Sequence, residues 1–103
     1  MILMEFTIIP LDKGPSLSAF VARMLDIVDT SGLDYRLTPM GTIVEGDWEA
    51  LMELLNRCFE EAKPLSERLS INVKLDYRAG TTARLMQKLE SVEKKLGRKL
   101  KTQ

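Results

Sequence analysis

Along the first ten positions apolar and polar residues alternate. Met4, Phe6 and Ile8 fall on one side of an extended chain and Leu3, Glu5, Thr7 and Ile9 on the other, before Pro10 closes the run. The period then changes. After "LDKGP", Ser16 is placed to cap a helix whose Leu17, Phe20, Val21, Met24, Leu25 and Val28 form one stripe, and Gly32 ends it. Tyr35 to Thr38 and Thr42 to Glu45 predict a hairpin, with Pro39 at the first central position of a type I turn and Gly41 at its last. Asp47 is a second cap, for a helix that lines up Leu51, Leu54, Leu55, Cys58, Phe59 and Ala62 and cannot pass Pro64.

The cleanest alternation is "RLSINVKLDY", with Leu69, Ile71, Val73 and Leu75 on one face and Ser70, Asn72, Lys74 and Asp76 on the other. A third helix is expected from about Thr82, with Leu85, Leu89, Val92 and Leu96 in a stripe and Gly97 as the stop, before a loose "RKLKTQ". The order is β-α-β-β-α-β plus a C-terminal helix. This is an α+β, ferredoxin-like arrangement in one domain spanning residues 1–103.

In that fold two helices cover one sheet face. Met4, Phe6, Ile8, Leu37, Val44, Ile71 and Val73 should face them, which leaves Glu5, Thr7, Arg36, Thr38, Ile43, Glu45, Asn72 and Lys74 on the other. The first strand normally lies between the third and fourth, so Glu5 and Glu45 come near one another. Leu3, Ile9 and Ile43 share that open face. An interface between two copies of the chain would cover them and leave a mixed polar and apolar concavity suited to a small molecule.

Composition narrows the chemistry. The chain carries 15 basic and 15 acidic residues, but from Arg84 onward seven basic residues oppose only Glu90 and Glu93, so the end is basic and the body acidic. A nucleic-acid surface would join such charge to exposed aromatics. Only six Phe, Trp and Tyr residues exist, and Phe6 points inward, so a solvated helix face is expected and no nucleic-acid partner. There is no histidine and one cysteine, hence no ligand cluster for a metal. Cys58 sits on an apolar stripe, where an inert core thiol is expected and not a nucleophile. Glycines occur singly, with no phosphate-cradling loop. No apolar run approaches the roughly 20 residues that cross a bilayer, and the N-terminal "MILMEF" is not a signal sequence, so a cytoplasmic location is expected.

The block "SGLDYRLTPMGTIVEG", with "IIPL", "SLSAFVA", "INVKLDYR" and "KLESVEKKL", resembles the small prokaryotic thiamine-binding proteins related to YkoF. The resemblance covers nearly the whole chain. It implies a ferredoxin-like subunit, assembled as dimers or dimers of dimers, that binds thiamine or its hydroxymethylpyrimidine moiety as ligand, with no cofactor and no catalysis. The positions carried over are Glu5, Ser16, Ser18, Thr38, Met40, Gly41, Thr42, Glu45 and Arg78. The chain departs from the family's pattern at "DKGPS" and at Asp76-Tyr77-Arg78.

Thiamine suits the residues read directly. Its cationic thiazolium and its aminopyrimidine match carboxylates and hydroxyls such as Glu5, Glu45, Thr7 and Thr38, and the Met40 thioether can lie against a ring. The competing readings are an ACT-like regulatory module, which would want more glycine after the first strand, and a purely structural oligomer.

Overall fold

The computed structural model describes residues 1–12, 17–80 and 92–100. The N-terminal alternation becomes strand β1 (Ile2–Pro10), with Ile2, Met4, Phe6 and Ile8 buried and Glu5 and Ile9 exposed. Helix α1 (Leu17–Thr30) follows. It ends where the Ser31 hydroxyl donates to the Val28 carbonyl at 2.6 Å and Gly32 turns the chain at φ +81°. Strands β2 (Asp34–Thr38) and β3 (Gly41–Gly46) form the hairpin across Pro39 and Met40.

Helix α2 (Trp48–Ala62) starts at Asp47, whose carboxylate accepts from the Ala50 amide at 2.8 Å. A short 3-10 turn (Lys63–Leu65) leads to β4 (Leu69–Tyr77). Asp12 fastens this entry to the end of β1. Its carboxylate accepts from the Glu67 amide at 2.9 Å and from the Ser66 hydroxyl, while the Leu11 amide donates to the Arg68 carbonyl at 2.8 Å.

The sheet order is β2-β3-β1-β4 with all neighbours antiparallel, the ferredoxin-like arrangement expected from the element order. The two ladders on β1 differ in length. β4 pairs with it from Ile2↔Tyr77 to Pro10↔Leu69, whereas β3 pairs only from Ile2↔Gly46 to Phe6↔Thr42. The far end of β1 therefore has one neighbour instead of two.

The core lies between the sheet and the two helices. Phe20, Met24, Ile27 and Val28 from α1 and Leu51, Leu54, Cys58 and Ala62 from α2 close on Met4, Phe6, Ile8 and Val44. The expected α1 stripe is shifted: Ile27 is buried, while Leu17 and Val21 remain exposed at its edge. Ile71 and Val73 lie on the helix side, opposite Ile8 and Phe6, yet are exposed because β4 is the outermost strand and the helices pack chiefly on β1 and β3.

Of the C-terminal helix, residues 92–96 are helical, and Thr82, Leu85 and Leu89 lie outside the described residues. Gly97 ends it as expected, at φ +70°. The Gly97 amide donates to the Lys94 carbonyl and the Arg98 amide to the Glu93 carbonyl, which satisfies two terminal carbonyls at once.

Candidate functional site

Register places the polar residues. Glu5 lies between Ile43 on β3 and Lys74 on β4, Leu3 lies between Glu45 and Asp76, and Thr7 faces Asn72. Side chains opposite each other in antiparallel strands share a face, so these residues occupy the side that α1 and α2 do not cover. Glu5 and Glu45 are diagonal neighbours there. They differ in depth: Glu5 is exposed, while Glu45 retains only 4% of its surface. Glu5 borders two shallow depressions on this face. One, of about 160 Å³, also has Leu3, Ile43, Lys74 and Asp76. The other, of about 330 Å³, has Thr7, Met40, Asn72 and Lys74.

A larger groove of about 430 Å³ opens on the other side, between α1 and the hairpin. Its wall is apolar, from Val21, Met24, Leu25 and Leu37, and its polar groups come from Thr7, Thr38 and Thr42. Thr42 faces this side because it pairs with Phe6 and Leu37, not with the open-face residues. The groove exists because β3 stops short. Met1 and Arg78 exchange hydrogen bonds in both directions, and in an antiparallel ladder such pairs recur at every second residue. The odd residues of β1 thus spend their amides on β4, and the even ones turn theirs toward β3. Ile8 is even and lies past the last β3 partner, so its N–H and C=O look into the groove that its residue lines. Pro10, which has no N–H to offer, obeys the same parity.

The hairpin tip is built by its own side chain. The Thr38 hydroxyl donates to the Gly41 carbonyl at 2.7 Å and accepts from the Met40 amide at 3.2 Å. Its proton is committed to the turn, and what remains toward a ligand is a lone pair. Met40 is 83% exposed and lines both the groove and the larger open-face depression, so it stands at the lip between them.

Of the residues singled out in the sequence, Thr7, Thr38, Met40, Gly41 and Thr42 meet at the groove, and Glu5 stands beside it across Met40 and Thr7. Glu45 lies farther along the open face. Ser18 is exposed on the first turn of α1 and lines none of these cavities, Ser16 lies outside the described residues, and Arg78 sits at the opposite end of β1, beside Met1. The amide of Ile8 was missed by residue-type reasoning. Its signal was a strand of nine residues beside one of six.

Cys58 is fully buried, and loss of solvent pushes its thiol up to about 11, a shift that the nearby Arg57 only partly offsets. At pH 8 the reactive thiolate is then roughly one in a thousand. Iodoacetamide at that pH is expected to leave native protein unmodified over hours and to label it within minutes in urea, as read by intact mass. Among the described residues no group of three or more His, Cys, Asp or Glu could hold a metal, and no helix is long and apolar enough to cross a membrane.

Comparison with known proteins agrees with this architecture. Residues 4–93 match the family described as thiamine-binding protein. A UPF0045 protein of Mycobacterium bovis is 33% identical over 96 residues, covering 92% of this chain and 94% of that one. The UPF0045 protein YqgV of Bacillus subtilis is 33% identical over 104 residues, covering 93% and 98%. Among solved structures, a Thermotoga maritima protein provisionally assigned to thiamine biosynthesis or salvage superposes with a TM-score of 0.79 at 20% identity, over 88% of this chain and 97% of that one. A hypothetical protein of Methanocaldococcus jannaschii gives the same score at 25% identity, over 88% and 94%.

Proposed function

Because this chain belongs to the thiamine-binding protein family, we propose that it binds thiamine or a related hydroxymethylpyrimidine compound in the cytoplasm without transforming it. The observation that carries the reading is the groove, where five residues singled out from the sequence meet the outward amide of Ile8. An aminopyrimidine edge offers a donor beside an acceptor. A strand's N–H and C=O are its complement, and Ile8 supplies them in the place where the next strand would otherwise have paired. Thr42 adds a hydroxyl and the apolar wall takes the ring faces. Met40 lies at the exit, its thioether against the ring. The cationic thiazolium then extends past Met40 toward Glu5, whose carboxylate balances it. A second subunit on the open face would shelter that end from water.

Nothing in this arrangement calls for bond making. The groove presents hydroxyls, amides and aliphatic surface, and the one thiol is buried and held protonated.

Calorimetry with thiamine and with hydroxymethylpyrimidine tests the reading. Thr42→Val, which keeps the shape and deletes one hydrogen bond, should weaken both ligands about tenfold. Glu5→Gln should weaken thiamine by a similar factor and leave the uncharged pyrimidine alone. Absence of heat and of thermal stabilisation by either compound at millimolar concentration rejects the proposal.

A further inference from the structure

Lys74 is an exposed cation on the open face of the sheet. Its register partner on β1 is Glu5, yet among the described residues Lys74 makes no ion pair. The depression of about 330 Å³ is bordered by both, together with Met40 and a second register pair, Thr7 and Asn72. Asp76, two residues beyond Lys74 on β4, borders the other depression and not this one. An ammonium, an amide and a hydroxyl therefore share one hollow with a single carboxylate, Glu5.

The thiazolium proposed above leaves the groove past Met40 and meets that carboxylate. Thiamine itself then has no use for Lys74, since an ammonium beside a bound cation repels it. The lysine becomes useful when the far end of the ligand is an anion. We propose that the site takes thiamine as its phosphate monoester, with the phosphate held over β4 by Lys74 and Asn72. This rests on the thiamine reading and adds to it the charge of the ligand's distal arm.

A phosphate monoester carries about −1.5 to −2 charge at pH 7 and presents three acceptor oxygens. The ligand thus bears a cation and an anion, and the sheet sets their complements on neighbouring strands, Glu5 on β1 and Lys74 on β4. Adjacent strands lie about 4.8 Å apart, the reach of a two-carbon arm and its ester oxygen. Glu5 repels the phosphate and keeps it on the β4 side. Asp76 repels it as well, from the far side of Lys74, and so turns it toward Asn72. There the Asn72 amide and the Thr7 hydroxyl donate to oxygens that the ammonium leaves unfilled.

Calorimetry on the full chain in phosphate-free buffer compares thiamine, its monophosphate and inorganic phosphate. The wild type is expected to bind the ester about tenfold more tightly than thiamine, and inorganic phosphate more weakly than either. Lys74→Gln should weaken the ester about tenfold without weakening thiamine. Lys74→Glu should invert the order and make thiamine the tighter ligand, which a merely structural role for the lysine would not produce. Circular dichroism establishes that each variant is folded. Thiamine bound with the ester no tighter, or both ligands weakened equally by Lys74→Gln, overturns this proposal and leaves the thiamine reading standing. Inorganic phosphate bound as tightly as the ester also overturns it, in favour of a site for the free anion. Binding of neither thiamine nor its ester rejects both.

Discussion

Gly41→Val is expected to destabilise the protein by about 2–3 kcal/mol and to weaken thiamine binding at least tenfold, the first read by urea unfolding and the second by calorimetry. A Cβ at Gly41 would stand 3.2 Å from the Thr7 methyl carbon and 3.3 Å from the Phe6 carbonyl oxygen. The methyl can rotate away. The carbonyl cannot, because Phe6 is fixed between β3 and β4. Two further carbons force the start of β3 to lift from β1, and Thr38, Met40 and Thr42 move with it. Stability and binding are coupled here because the last pairs of the β1–β3 ladder also form the end wall of the groove. Gly41→Ala, with one carbon to place, should lose about half as much.

Leu51→Ala should cost about 3 kcal/mol in urea unfolding followed by circular dichroism, with the midpoint shifted and the slope unchanged. Leu51 has no exposed surface, and its side-chain carbons lie 3.4 Å from where a Cβ on Gly46 would be. The absence of a side chain at Gly46 is what lets α2 approach the end of β3 so closely. Truncation leaves a void between two elements tied by their own short connection, with little freedom to collapse. Leu51→Met, which conserves volume, should cost less than about 1.5 kcal/mol. For a domain whose whole stability is about 5–15 kcal/mol, the alanine loss is a large share.

Much of this architecture was legible in the order of residues, because each element announces its own period and ends. Met4, Phe6 and Ile8 are buried as the alternation of β1 requires, Asp47 caps α2, and Gly32 and Gly97 terminate helices at positive φ. Depth was less legible than direction. Ile71 and Val73 take the expected side and are exposed all the same, because periodicity says which way a side chain points and not how far a two-helix layer extends over a four-stranded sheet. Glu45 and Glu5 share the open face and differ widely in burial, a difference that alternation along a strand does not report either.

The groove was legible only in part. Thr38, Met40, Gly41 and Thr42 were singled out through one contiguous block, but the amide of Ile8 carries no residue-type signature. It became a candidate only when the relative lengths of β1 and β3 were fixed by pairing. Thr38 shows the converse. A hydroxyl on a strand suggested a ligand donor, and the turn had already taken its proton.

The long ladder joining Ile2 to Tyr77 also bears on synthesis at the ribosome. β1 precedes the other three strands along the chain and occupies an inner place in the sheet, yet its most extensive neighbour is the last of the four to be translated. Until that segment clears the exit tunnel, the nascent chain holds β1 with a naked flank and its apolar side chains half covered. Contacts so distant in sequence set a slow, late closure, so chaperone demand should peak just before residues 69–77 appear and fall sharply afterwards.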